Sequence, residues 1–123
     1  MACSNSHSIS HQDLQTKFRA SISLTTETED FLSHLDGHIY SPPFIQGHLD
    51  FLQKQGSDIE SELANTSAAN ADATSLDSLK QATAELTHTL NQLQSLPPNA
   101  PAQRSFIRHL DSIRQRLEAD MPR

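Results

Sequence analysis

No tryptophan occurs among the 123 residues, and a single tyrosine stands beside five phenylalanines. Hydrophobic residues make up 35%, below the globular norm of about 45–50% counted with glycine, so the chain cannot fill a large aromatic-rich core. One cysteine, Cys3, excludes a disulfide framework and fits a reducing compartment. The three glycines, Gly37, Gly47 and Gly56, lie nine or more residues apart, which excludes a glycine loop of the kind that cradles phosphate. No run of about eighteen apolar residues is present, so no helix of this sequence is expected to span a membrane. Basic residues are scarce over most of the chain. Residues 1–100 hold four Lys or Arg against twelve Asp or Glu, a net −8, and residues 101–123 hold five Arg against three acids, a net +2. That balance argues against a dedicated nucleic-acid binder. The arginine-rich end suits the negative end of a helix dipole, and would also suit an acidic partner helix or an anionic membrane.

What the chain does have is apolar residues at alternating spacings of four and three. Ile45, Leu49, Leu52, Gly56, Ile59 and Leu63 form one such series. Leu76, Leu79, Thr83, Leu86, Leu90 and Leu93 form a second, and Phe106, Leu110, Ile113 and Leu117 a third. This is the heptad rhythm of a coiled coil, with two seam positions in seven. A helix filling a globular core usually shows a wider stripe of about three in seven. A fourth series, Leu14, Phe18, Ser21, Thr25, Thr28, Leu32 and Leu35, is polar and partly β-branched in its middle, which weakens the helix expected there. Ile22 and Leu24 offer an alternative apolar edge.

Punctuation divides these series into helices over about 11–36, 42–65, 76–96 and 101–120, in a single helical domain 11–123 behind a polar, disordered tail 1–10. Gly37 suits the position just past the first helix. Ser41 can cap a helix that opens on Pro42 and Pro43, since a proline there forfeits no helical hydrogen bond. Gly56 falls on a seam, and the unbroken phase across it favours close helix approach over a kink. Residues 65–75, small and polar, read as a flexible connector with Ser75 as the cap of the third helix. Leu96 to Pro101 forms a stiff turn, since its prolines stop one helix and prime the next. The fold class expected is all-α, with three to four heptad-patterned helices in antiparallel coiled-coil hairpins or an up-down bundle.

Chemistry leaves little trace. No serine sits in a nucleophile elbow. His34 and His38 stand four apart, but Gly37 between them ends the helix, and Cys3, His7 and His11 lie in a tail with no packing to fix them. Glu85 and His88 make one Glu-x-x-His motif without the second that a di-metal bundle needs, and both fall off the seam. No enzyme activity, catalytic residue, cofactor or metal is therefore expected.

The seams can recognise other helices. The residues expected at a partner interface are Ile45, Leu49, Leu52, Ile59 and Leu63 on the second helix and Leu76, Leu79, Leu86, Leu90 and Leu93 on the third. Phe106, Leu110, Ile113 and Leu117 complete the set on the fourth. Acidic flanks would make a homodimer repel itself, so a heterotypic helical partner with basic flanks is favoured. The competing reading has the four helices fold on each other and use the seams internally, as an autonomous bundle that binds a ligand or metal. On the partner reading, Leu90→Asp should harm binding more than Leu24→Asp, because Leu90 lies in an unbroken seam.

Residues 35–63 resemble the Snapin-like small coiled-coil subunits of complexes that build lysosome-related organelles and position lysosomes. The stretch Leu35-Asp36-Gly37-His38-Ile39 is similar to their Leu-Asp-x-His-aliphatic segment, and Leu49, Leu52, Ile59 and Glu62-Leu63 to the heptads that follow. The resemblance implies a non-catalytic subunit of a hetero-oligomeric rod in endosomal and lysosomal membrane trafficking. A kinetochore, transcriptional coactivator or cytoskeletal complex would use the same physics. With no apolar signal core in residues 1–13, and Ala2 where myristoylation requires glycine, a cytoplasmic location is expected, with any membrane association peripheral and made through a complex.

Overall fold

Leu14, Phe18, Ser21, Thr25, Thr28, Leu32 and Leu35 all lie buried on one face of a single unbroken helix, α1 (His11–Leu35). The polar middle of this series does not interrupt it, because the two threonine hydroxyls are satisfied within the helix. Thr25 Oγ1 donates to the Ser21 carbonyl at 2.7 Å and Thr28 Oγ1 to that of Leu24 at 2.8 Å, the four-back bond that lets threonine enter an apolar interior. The computed structural model describes residues 7–35, 40–95 and 100–123. Among them, α1 is followed by α2 (Pro42–Ala64), α3 (Ala73–Ser95) and α4 (Ala100–Asp120), with two short strands, β1 (His7–Ile9) and β2 (Thr66–Ala68). The protein is all-α in architecture, a helical bundle with a two-stranded sheet at one end.

Cross-helix pairs fix the directions. Lys17 near the start of α1 pairs with Glu62 at the end of α2. Gln94 late in α3 donates to Asp50 early in α2 at 2.8 Å. Arg116 late in α4 meets Glu85 in α3, and Gln15 of α1 donates to the Pro122 carbonyl just past α4 at 3.0 Å. Each helix therefore runs antiparallel to the next, and α4 returns beside α1. The principal packings are α1 on α4 and α2 on α3, closed into a ring by α3 on α4 and α1 on α2.

The interior has two apolar clusters. One gathers Leu24, Leu32, Leu35, Leu49, Leu52, Leu86, Leu90, Leu93 and Leu110; the other gathers Leu14, Phe18, Leu63, Leu76, Leu79, Ala82, Ile113 and Leu117. Along the helices, small and hydroxyl-bearing positions fall between them, namely Ser21, Gly56 and Thr83. α2 passes Gly56 without a break, and a Cβ built there would lie 3.2 Å from Thr87 Oγ1, so the glycine marks close approach of α2 to α3.

Three boundaries differ from those expected. Residues 7–9 are not tail but β1, which pairs in parallel with β2 in the register His7 to Thr66, Ser8 to Ser67 and Ile9 to Ala68. Ile9 and Ala68 pack on the second apolar cluster, which gives this small sheet a hydrophobic reason to form. The 65–75 connector is accordingly ordered, and Lys80 Nζ donates to the Thr66 carbonyl at 2.8 Å. The third helix starts at Ala73, before Ser75, because the Asp72 carbonyl accepts the first helical bond from the Leu76 amide at 2.9 Å. Ser41 does cap α2 as read, with extended backbone and a side chain that accepts from the Phe44 amide at 3.3 Å, and with proline in the first turn. The positions assigned to Gly37, His38 and Leu96 to Pro98 lie outside the described residues, as do Cys3 and residues 1–6.

One buried side-chain polar atom among the described residues has no hydrogen-bond partner, the Ser21 hydroxyl. A buried unsatisfied hydroxyl costs about 1–3 kcal/mol, and alanine is the better helix former by a few tenths. Ser21→Ala should therefore stabilise the protein by about 1–2 kcal/mol in urea unfolding followed by circular dichroism. Unchanged or lower stability would show that the hydroxyl is satisfied in solution.

Candidate functional site

The seams are filled from within. Of the residues expected at a partner interface, Leu49, Leu52, Leu63, Leu76, Leu79, Leu86, Leu90, Leu93, Leu110, Ile113 and Leu117 are buried in the chain's own bundle. Ile45, Ile59 and Phe106 are half-buried and packed against the same clusters. The buried stripe is also wider than two in seven. α3 buries Ala82, Thr87 and Thr89 beside its seam, and α1 buries Leu24 beside Thr25. These extra positions escape a count of large apolar residues, so a core-filling helix looks like a coiled-coil seam.

The surface holds a different feature. Phe44 and Phe51 remain 50% and 49% exposed, the large hydrophobic side chains most open to solvent among the described residues. They belong to a line of rings on the outer side of α2, with Tyr40 just before the helix and His48 between them. Tyr40 stacks on Phe44 with centroids 5.2 Å apart, and His48 lies 6.4 Å from Phe44 and 6.1 Å from Phe51. Phe31 of α1 reaches across to His48 at 4.3 Å and to Phe44 at 6.5 Å. The Phe31–Phe44 and Tyr40–Phe44 separations are those of tilted and offset aromatic pairs, here on a face open to solvent. Four of the six Phe and Tyr side chains in the sequence thus gather on one outer face.

Phe31, Tyr40, Phe44 and His48 wall a groove of about 300 Å³ between the end of α1 and the start of α2, and Phe51 stands outside it. Glu27, Asp30 and His34 of α1 also line it, and among the described residues no Lys or Arg takes part. His34 Nδ1 lies 2.8 Å from the Asp30 carbonyl. Glu27 and Asp30 form no ion pair among the described residues, whereas their neighbour Glu29 turns to α4 and accepts from Arg114 Nε at 3.2 Å. Burial raises the Glu29 carboxyl above its ordinary range, although the Arg114 hydrogen bond opposes the rise.

The sequence carries a signal for this face: Tyr40, Phe44, His48 and Phe51 stand at spacings of four, four and three, parallel to the Ile45, Leu49 and Leu52 series one residue over. Attention to the leucine series alone hides it.

Other clusters offer less. Among the described residues no three His, Cys, Asp or Glu converge on one point. Glu85 is engaged by Arg116, and His88 is exposed. At the opposite end of the bundle, the His11 ring bridges two acceptors: Nδ1 meets the Asp72 carboxylate at 3.0 Å and Nε2 the Arg123 carbonyl at 2.9 Å. Only the imidazolium can donate from both nitrogens. The Asp72 hydrogen bond, and then that to Arg123, raise the His11 pKa above 6.5. A raised folded pKa stabilises the protein fully below the unfolded value, and that stabilisation is lost as pH rises through the folded one. His11→Gln should therefore lower the melting temperature more at pH 5.5 than at pH 8.5, and a chemical-shift titration of His11 should have its midpoint above that of free histidine. An equal effect at both pH values would show that the bridge does not form.

Comparison with protein-family models, with curated proteins and with solved structures returns no match for this chain.

Proposed function

We propose that the chain is a non-enzymatic helical subunit of a hetero-oligomeric protein assembly, and that it docks its partner on the aromatic face of α2. The leucine seams then serve to hold its own bundle together. The observation that carries this reading is the half-exposure of Phe44 and Phe51 in a continuous line of rings, in a sequence with few aromatic residues. Exposed apolar patches rimmed by polar groups mark interaction sites, and aromatic residues are enriched in the buried centres of interfaces. Rings anchored by neighbours lose little freedom on binding, so they make efficient hot spots. The endosomal and lysosomal setting, with cytoplasmic location and peripheral membrane association through a complex, is supported by the resemblance of residues 35–63 alone.

Affinity purification with mass spectrometry, run in parallel on the wild type and on a Phe44→Ser, Phe51→Ser variant, tests the proposal. The wild type should recover a defined helical partner that the variant loses, while both share the same thermal melt. An identical partner set from the two proteins would remove the aromatic face from the assembly and sink the proposal.

A further inference from the structure

Resting on that reading, we infer that the groove between α1 and α2 takes a cationic side chain, an arginine or lysine presented by a basic segment of the protein partner. Three observations point to a cation. The walls are aromatic, with Phe31, Tyr40 and Phe44 around the opening, and an aromatic face carries partial negative charge that attracts an ammonium or guanidinium within about 6 Å of its centre. The rim supplies two carboxylates, Glu27 and Asp30, that form no ion pair among the described residues. Among the described residues no Lys or Arg lines the groove to compete, its only nitrogen bases being His34 and His48, and the first hundred residues are net −8, from four basic against twelve acidic residues. An apolar side chain would leave the carboxylates desolvated without compensation, and an anionic one would be repelled by them. Arginine is the better of the two cations, because its planar group can lie on a ring while its N–H fork engages a carboxylate. Its aliphatic stem would cover the exposed edge of Phe44. An anionic lipid surface would meet the carboxylates and be repelled, which favours a peptide over a membrane as occupant.

The test uses the full chain and an amphipathic arginine–leucine peptide, with its citrulline and glutamate analogues as controls. Citrulline keeps the planar shape and removes the charge. The arginine peptide should bind at low salt with amide and ring shifts confined to Phe31, Phe44, His48 and their neighbours. Citrulline should weaken binding about tenfold, as expected for loss of a cation–π contact and an ion pair together. Phe44→Ala, and separately Glu27→Gln with Asp30→Asn, should weaken the arginine peptide several-fold with an unchanged melt, since all three side chains are exposed. Phosphatidylserine vesicles should not shift these resonances. Equal binding of the arginine, citrulline and glutamate peptides, still lost in Phe44→Ala, would overturn the cation inference and leave the aromatic docking reading standing. Absence of any peptide shift in the groove, or a vesicle response at the same residues, would likewise overturn the cation inference. Failure of the docking reading itself is read separately, from a partner set that survives Phe44→Ser with Phe51→Ser.

Discussion

Leu90→Asp and Leu24→Asp should each abolish the folded bundle at neutral pH, and to the same degree. Leu90 and Leu24 are 0% and 3% exposed, sit in the same apolar cluster, and both approach Gly56, at 3.5 Å and 3.7 Å from a Cβ built there. A carboxylate at either position would be buried with no cation against it. That costs more than about 5 kcal/mol, comparable with the whole stability of a domain, typically about 5–15 kcal/mol. The aspartate relieves part of the cost by taking up a proton, so mild acid should restore some helicity. Far-UV circular dichroism across pH reads this directly. Leu90→Ala and Leu24→Ala should stay folded with a loss of about 2–5 kcal/mol from the cavity, and Phe51→Asp on the outer face should leave the fold intact. A folded Leu24→Asp beside an unfolded Leu90→Asp would mean that α1 is rotated from the register described above. The two positions rank differently when judged by the leucine seam, since Leu24 lies one residue off it. Packing in the bundle removes that distinction.

That pair shows where the amino-acid sequence is legible and where it is not. The series at four and three locates all four helices to within a few residues, because the face that excludes water must recur with the helical period. Ser41 with Pro42 and Pro43 places the start of α2, because capping is local chemistry. The width of the buried stripe is hidden, since its third position is often Ala, Ser or Thr. Thr25, Thr28, Thr83 and Thr87 enter the interior because each returns its hydroxyl to a carbonyl of its own helix, and a hydropathy count scores them as surface. β1 and β2 are hidden for a different reason. Each is three residues long, and their pairing depends on α1 and α3 starting at the same end of the bundle. The aromatic face is visible as a spacing, but its openness depends on which side of α2 the neighbouring helices leave uncovered. Phe18 and Phe44 cannot be told apart by composition, yet one is fully buried and the other half-exposed.

Gly56→Leu should be the most damaging substitution of a glycine in α2. The bare Cβ position already lies 3.2 Å from Thr87 Oγ1 and 3.5 Å from Leu90 Cδ1, so the further carbons of leucine would have to displace α3 from α2. Overpacking of this kind costs about 1–3 kcal/mol and at times more. Here the cost adds to disturbance of the Thr87 hydroxyl, which donates to the Thr83 carbonyl at 3.0 Å. Gly56→Ala sets two smaller effects against each other. Helix propensity gains about 1 kcal/mol, and the tight contact with Thr87 takes back a similar amount, so stability should change by less than about 0.5 kcal/mol. Gly47 provides the reference, because nothing lies within 4 Å of a Cβ placed there. Gly47→Ala should raise stability by close to the full propensity difference of about 1 kcal/mol. Urea unfolding of the three variants measures the packing cost at Gly56 free of the propensity term, as the difference between the two alanine substitutions. If Gly56→Ala gained as much as Gly47→Ala and Gly56→Leu were tolerated, α2 and α3 would not approach closely at this point. The seam would then be open enough to admit a helix from another chain.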